Sequence, residues 1–473
     1  MTDANPLQDS RRTVAVVGGG ITGLSAALRL RDRDPSCRVV LWEASARLGG
    51  VISTVHEDGF QVEQSADNFI TTVPWGVSLC QRVGLGDALM QTNPAYRQTF
   101  VVRGGRLYKL PDGFMMMAPT RMWPLALTPL LSPWGKLRAA CEYFIPPRRT
   151  TEDESMAAFV RRRLGREVFD RLVEPLVSAV YAADMEKLSL DATLSQFREM
   201  ELEHGSLIRA MRRRAAAART AASDSGPRYS MFVTPRDGLS SIIEAMAALL
   251  PPDMVQLRTR AEKLERLPAG HWLLTSAAGD VLPCDAVILA TPSHVAARLL
   301  RTIDADLAAD LAGIEHSGTA ILSAGYERSQ IAHPLDGMGI VVPAVERSPL
   351  LACSLSSQKY THRAPEGQVL LRIFAGGAQH PELAEMDDKE LRPLLLDALS
   401  QLLGIRGEPT YCRIAHWPRT MPQYHVGHKQ LVERIEAGAA KLSTLRLAGN
   451  AYHGVGIPHC IHSGQKAAEG VLA

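Results

Sequence analysis

Apolar and polar positions fall in blocks along this chain. From Thr13 to Gly19 the residues are almost continuously apolar, the pattern of a parallel strand covered on both faces, and the helix "GLSAALRLRD" follows. A second strand of the same kind, "CRVVLWEA", ends at Glu43. The stretch "FVVRGGRLYKLPDG" alternates instead and turns at Gly104-Gly105, which predicts a strand pair. In "TEDESMAAFVRRRLGREVFDRLVEPLVSAVYAAD" acids crowd the first turn. Met156, Phe159, Val160, Leu164, Phe169, Leu172, Val173 and Leu176 then recur at helical spacing. Another helix after Asp191 leads into the basic "RAMRRRAAAARTAAS", and "SDSGP" at Ser223–Pro227 reads as a linker. Beyond it, "MFVTPRDGLSSIIEAMAALL", a strand-like "MVQLRTRAEKLER" and the strand "VLPCDAVILATP" with its following helix return to an α/β layer. From about Ala320 to Ile414 the pattern is β-rich.

One segment resists this scheme. "FMMMAPTRMWPLALTPLLSPW", Phe114 to Trp134, is strongly apolar, but Pro119, Pro124, Pro129 and Pro133 forbid one continuous helix. No run of eighteen or more apolar residues appears in the chain, so no membrane-spanning helix is predicted. The segment suits a cavity wall for an apolar ligand, a surface that dips into a membrane, or an ordinary core.

Composition narrows the class. At 473 residues the chain needs two or three structural units, and 46% hydrophobic with 22% charged residues is ordinary for a globular protein. A formal charge of +2 provides no general attraction to nucleic acid, and none is expected as a partner. The 7 cysteines never form a Cys-x-x-Cys pair and read as reduced thiols of a cytoplasmic protein. The polar opening "MTDANPLQDSRR" lacks the apolar centre of a secretory signal.

Chemistry enters at Gly18-x-Gly20-x-x-Gly23. Between a buried strand and a helix these glycines allow a tight turn and close backbone approach to a pyrophosphate, which Ile21, Thr22 and Gly23 receive at the helix start; Glu43 can hydrogen-bond a ribose. A dinucleotide site is therefore predicted. "GMGIVVP" at Gly337 imitates the fingerprint, but no helical pattern follows, and it reads as a turn before a strand.

Past Glu43 and Ala44, Arg47, Gly49 and Gly50 complete an E-x-x-x-R-x-G-G pattern. Here the sequence resembles the glutathione-reductase-like flavoproteins, in particular the amine oxidase and protoporphyrinogen oxidase superfamily. That resemblance implies FAD, with Arg47 facing its phosphates. "EPLVSAVYAADMEKLSL", "PRDGLSSIIEAM", "WPRTMPQYHVGH" and "GNAYHGVGIPHCIHSGQKAA" are similar to blocks of HemY-type porphyrinogen oxidases, and with the FAD start they touch nearly the whole chain.

The resemblance implies an α/β fold in three parts. Residues 11–85, 228–300 and 435–473 would form a discontinuous, glutathione-reductase-like FAD-binding domain, 86–113 and 301–434 an inserted mixed-sheet substrate domain, and 114–227 a helical domain able to meet a membrane. It implies six-electron oxidation of protoporphyrinogen IX or coproporphyrinogen III, with O2 as acceptor and H2O2 as product, in heme biosynthesis. Peripheral contact with the cytoplasmic membrane and ferrochelatase as a partner come with it. Further FAD contacts would come from Ala66 and Asp67, from Ala261 at the adenine, from Trp417 near the flavin, and from Gly449, Asn450, Gly456 and Ile457. In "VEQSADNF", Ser65 and Ala66 replace a more usual glycine-containing pair. Met115, Arg121 and Phe374 are the substrate candidates: an adaptable apolar wall, a propionate partner and an apolar cover. No catalytic acid or base is assigned, because aromatisation drives each step and the cofactor carries the chemistry. His453, His459 and His462 stand near Cys460, but Pro458 and the helix start disfavour a metal site, and none is expected. The alternatives are an FAD amine oxidase or carotenoid-type desaturase on the same fold, and a flavin-bearing scaffold at a membrane surface without turnover.

Overall fold

The computed structural model describes residues 11–119, 121–150, 152–220 and 231–473. The linker at Ser223–Pro227 lies outside the described residues. The apolar blocks at the start of the chain build a five-stranded parallel sheet in the order Val255–Gln256, Arg38–Trp42, Thr13–Val17, Ala286–Leu289, Leu445–Leu447. Strand periodicity sorts their side chains onto two faces. Val14, Val16, Val39, Leu41 and Ile288 pack beneath helices Ile21–Arg33, Ser240–Ala248 and Ile457–Leu472. Ala15, Val17, Val40, Trp42, Val287 and Leu289 face a three-stranded antiparallel sheet, Ala261–Arg266, Trp272–Ser276 and Val281–Cys284, together with helices Ser293–Leu300 and His428–Ala440.

Two stretches read as single strands are divided. "MVQLRTRAEKLER" contributes Val255–Gln256 to the parallel sheet and Ala261–Arg266 to the antiparallel one. "VLPCDAVILATP" changes sheets at Asp285, whose carboxylate accepts the Thr13 backbone N–H at 2.7 Å.

A seven-stranded mixed sheet runs Tyr411–Pro422, His316–Glu327, Gln368–Gly376, Ala352–Leu355, Gly339–Val341, Thr99–Arg103, Arg106–Lys109. The hairpin expected at Gly104-Gly105 forms its edge, and "GMGIVVP" supplies Gly339–Val341. One face buries helix Asp388–Leu403; the other presents Val101, Val341, Ala352 and Phe374 to a mainly helical core.

That core differs from expectation in one respect. The apolar residues from Met156 to Val173 are buried as their spacing required, but no single helix carries them. Met156–Arg163 stops, Gly165 turns at φ +93°, and the chain restarts at Arg166–Val168, winds through a π turn at Phe169–Val173 and continues as Glu174–Tyr181. A Cβ at Gly165 would come within 2.5 Å of Arg138 Cγ, so the break admits the Arg138 side chain. The region after Asp191 is likewise three helices, Leu190–Thr193, Ser195–His204 and Leu207–Thr220. The proline-broken stretch forms a minimal hairpin, Phe114–Met115 with Ala118–Pro119, and helices Met122–Leu127 and Pro133–Ala140. Among the described residues no helix is long and apolar enough to cross a membrane.

Candidate functional site

The fingerprint glycines divide by what surrounds them. A Cβ on Gly18, which sits at φ +109°, would stand 2.4 Å from the Ala290 carbonyl oxygen, and one on Gly23 would stand 1.8 Å from that of Gly18. Both positions are closed by the protein's own backbone. Gly20 has no atom within 4 Å of where a Cβ would be, so the N-terminus of helix Ile21–Arg33 opens onto free space at the carboxyl ends of the strands. Anions bind at such a place through unpaired amides and the helix dipole.

Around this opening the Glu43 carboxylate accepts the N–H of Gly19 at 2.6 Å and of Ser45 at 2.7 Å. The Gly49 N–H donates to the Gly19 carbonyl at 2.8 Å, which brings the second glycine pair against the first. Arg47 turns its guanidinium onto the carbonyls of Ile52 at 2.9 Å and Gly50 at 2.6 Å, where it closes the loop that carries Gly49 and Gly50. The segment leading to Ala261 runs over the same corner: Thr259 N–H donates to Glu43 O and Arg258 N–H to Ser45 O, each at 2.8 Å. Ala261 itself is buried in the core shared by the antiparallel sheet and the face of the parallel sheet that carries Val17 and Trp42. Thr291 and Ser293, just past the strand Ala286–Leu289, have buried hydroxyls without a hydrogen-bond partner. An open helix start, a carboxylate at the neighbouring strand end and unpaired hydroxyls fit a dinucleotide.

The tail closes on the same helix. Gly464 packs on Thr22 and Ala26, and Glu469 pairs with Arg29, so helix Ile457–Leu472 runs beside Ile21–Arg33 in the same direction. Ile457 lies seven residues before Gly464, about 10 Å along the helix at 1.5 Å per residue, so the tail helix starts about 10 Å beyond the Thr22–Ala26 contact, on the side of the Gly20 opening. The turn before it is fixed by Tyr424, whose hydroxyl donates to Asn450 O at 2.6 Å and accepts the Gly454 N–H at 2.8 Å. Asn450 Nδ2 reaches Thr420 O at 3.3 Å, and Gly449 N–H donates to Ser463 Oγ at 3.0 Å. Gly456 precedes the helix as its N-cap, and Val455 packs against the helical core.

The three histidines have separate partners. His462 stacks on Trp75 with ring centroids 3.9 Å apart, His459 meets the same ring edge-on at 5.5 Å, and His453 Nε2 pairs with Glu436 at 2.6 Å.

The loop Gln64–Asp67 lies against the seven-stranded sheet and the segment that follows it. Trp417 Nε1 donates to Gln64 O at 2.6 Å, Arg372 donates to Ser65 O, and Asp67 binds Lys359 Nζ at 3.0 Å. Phe374, two positions beyond Arg372 on the same face, is half-buried against the helical core. Met116 is half-buried against that core too; the side chain of Met115 lies outside the described residues. Arg121 is exposed at the N-cap of helix Met122–Leu127. Sequence reasoning passed over Arg372, Lys359 and Tyr424. A charge inside the apolar strand "VLLRIFAGG" was the available signal, since arginine is seldom buried without a task.

A parallel sheet with its glycine-turned helix, joined by a tail that extends one elongated site toward an apolar layer, defines a flavoprotein of the glutathione-reductase-like type. The family model described as flavin containing amine oxidoreductase matches residues 21–472, and the chain belongs to that family; its cofactor is FAD. The chain is similar to a coproporphyrinogen III oxidase of Bacillus subtilis (strain 168), 33% identical with 98% of this chain and 99% of the relative covered. It is 35% identical to a coproporphyrinogen III oxidase of Propionibacterium freudenreichii subsp. freudenreichii, over 100% of this chain and 93% of the other. A crystal structure assigned as a protoporphyrinogen oxidase of Exiguobacterium sp. 255-15 superposes with a TM-score of 0.88 at 29% identity, covering 98% of this chain and 99% of that one.

Proposed function

We propose that the chain is an FAD-dependent porphyrinogen oxidase, taking six electrons from coproporphyrinogen III or protoporphyrinogen IX in three two-electron steps, with three O2 reduced to three H2O2. The turn Gly454–Pro458 carries this reading: its helix start lies along the dinucleotide helix while Val455 packs on the helical core, so the cofactor and an apolar layer meet at one segment. Bound FAD supplies the two-electron redox chemistry. What the chain supplies is position. Gly18, Gly20 and Gly23 with Ile21 and Thr22 are proposed at the pyrophosphate, Glu43 and Ala44 at the ribose, and Ala261 at the adenine. The Gly49-Gly50 loop clasped by Arg47, the Ala66–Asp67 loop under Trp417, and Gly449, Asn450, Gly456 and Ile457 then line the way to the ring. Phe374 and Met115 are proposed as apolar substrate contacts, with Arg121 at the exposed rim for a propionate. Holding a meso carbon against the flavin makes oxidation a matter of orientation.

Of the two porphyrinogens, coproporphyrinogen III is favoured by the names of the Bacillus and Propionibacterium relatives. The part-by-part division is proposed with it: 11–85, 228–300 and 435–473 for FAD, 86–113 and 301–434 for substrate, and 114–227 as the helical layer. Anaerobic mixing with coproporphyrinogen III tests the activity: the flavin absorbance bleaches, and an unchanged spectrum at saturating substrate refutes the assignment. Initial rates with both porphyrinogens, followed by porphyrin fluorescence, then rank the substrates.

A cytoplasmic protein resting on the membrane surface is part of the proposal. Trp123, Trp134 and Phe144 are 79%, 79% and 81% exposed, beside exposed Leu127 and Leu137. Arg209 lies over the Tyr143 ring next to Phe144, and the exposed Arg212 and Arg213 follow on the same helix. Aromatic and aliphatic groups bordered by arginines suit an anionic lipid surface. Ferrochelatase is proposed as the protein partner that takes over the poorly soluble porphyrin.

A further inference from the structure

Strand Gln368–Gly376 sends Val369, Leu371, Ile373 and Ala375 into the core shared with helix Asp388–Leu403. Leu370, Arg372 and Phe374 point the other way, Leu370 toward Phe60 and Val62, and Phe374 toward the helical core. Arg372 sits between these two apolar contacts and is 1% exposed. Its guanidinium donates to Ser65 O, stands 3.5 Å from an Asp67 carboxylate oxygen and lies 5.2 Å from the Phe374 ring centre.

Its neighbours do not neutralise it. Lys359 Nζ binds both Asp67 oxygens, at 3.1 and 3.0 Å, and Arg363 pairs with buried Glu63 at 3.2 Å. Three cations meet two carboxylates, which leaves one positive charge in a largely buried cluster: Arg363, Arg372 and Glu63 are at most 3% exposed, and Lys359 and Asp67 are 14% and 15% exposed. Burial pushes the Asp67 carboxyl up, yet Lys359 and Arg372 outweigh it and hold Asp67 below the usual carboxylate range. Arg372 Nε and the neighbouring Ser65 hydroxyl are buried without hydrogen-bond partners, where such groups are normally satisfied.

The cluster lies against the loop that approaches the tail. Trp417 clasps that loop at Gln64, the same strand delivers Thr420 O to Asn450, and Phe69 just beyond the loop contacts the site of Gly76 beside Pro458. We propose that Arg372, with Lys359 and Asp67, sets the reduction potential of the FAD. The uncompensated positive charge stabilises the negative charge that the ring retains after taking up two electrons and one proton. This rests on the FAD placement given above, and not on the identity of the substrate. At a guanidinium as buried as that of Arg372 charge interactions are stronger than in water.

The test uses purified, FAD-bound full-length protein with no porphyrinogen present, equilibrated with a redox dye of known potential at fixed pH. Arg372→Gln and Lys359→Gln each lower the ratio of reduced to oxidised flavin at least about tenfold, equivalent to ~30 mV for a two-electron couple. Arg372→Lys keeps the charge and stays within about threefold of the parent. Asp67→Asn removes a negative charge and shifts the ratio in the opposite direction. A purely structural role moves Arg372→Gln and Asp67→Asn the same way, because both break one ion pair; that outcome, or no shift in either, overturns the proposal. If Arg372→Gln sheds its flavin, Lys359→Gln against Asp67→Asn supplies the same comparison of sign.

Discussion

Gly464 of the tail helix rests directly on Thr22 of the first helix: a Cβ at 464 would lie 2.1 Å from the Thr22 carbonyl oxygen. That contact holds two helices whose starts are more than four hundred positions apart together on one face of the parallel sheet. Gly464→Val would force the helices apart, and overpacking of this kind costs about 1–3 kcal/mol. The expected result is a lower thermal midpoint together with reduced FAD content, measured by differential scanning fluorimetry and by the flavin-to-protein absorbance ratio.

The fingerprint glycines should respond differently from one another. Gly20→Val projects into open space and leaves the apoprotein's melting temperature near the parent's while FAD binding falls by at least about tenfold. Gly23→Ala drives a methyl into the Gly18 carbonyl, 1.8 Å away, and should lower stability as well as binding. Melting the flavin-free proteins separates the two effects.

Trp417→Phe keeps a ring over the sheet but loses the 2.6 Å hydrogen bond to Gln64 O. One such bond is worth about 1 kcal/mol, so FAD affinity should drop roughly fivefold, as read by fluorescence titration of the apoprotein.

Acid should weaken the region below the tail turn. His428 is buried and stacked on Tyr424 at 3.9 Å, and burial lowers its pKa from 6.5 to about 4. The folded state therefore holds this imidazole neutral while the unfolded chain takes up a proton. Stability from this group is complete above the unfolded pKa near 6.5 and declines as pH falls from there toward 4, by on the order of 3 kcal/mol in all. His428→Phe, which preserves the stack, should flatten the fall in thermal midpoint between pH 7 and about 4.5; an unchanged slope would contradict this account.

The exposed apolar patch should bind vesicles containing anionic lipid. Replacing Trp123 and Trp134 together by Ser is expected to cut co-sedimentation by at least about tenfold and to leave soluble turnover unaltered, since both rings project into solvent. Equal sedimentation of parent and variant would remove the membrane from the proposal.

Much of the parallel-sheet half is legible in the sequence alone. Thr13–Val17, the glycine turn, helix Ile21–Arg33 and the strand ending before Glu43 are local structures, specified by apolar runs and by glycines that only close backbone packing explains. The hairpin at Gly104-Gly105 was legible for the same reason. The long helix expected across residues 151–184 was not realised, because the break at Gly165 depends on Arg138, a neighbour from another helix.

The tail histidines were opaque in sequence for a related reason: their partners Trp75 and Glu436 are brought to them only by the fold. Arg372 and Ser65 are 307 positions apart, and Trp417 and Gln64 are 353 apart. No periodicity links such pairs. By itself the sequence determined which segments are buried, where they turn and that a dinucleotide is bound, because those follow from hydrophobic burial and backbone sterics over a few residues. Tertiary structure alone decided which charges face the loop Gln64–Asp67, since two side chains distant along the chain interact only after packing has brought them together.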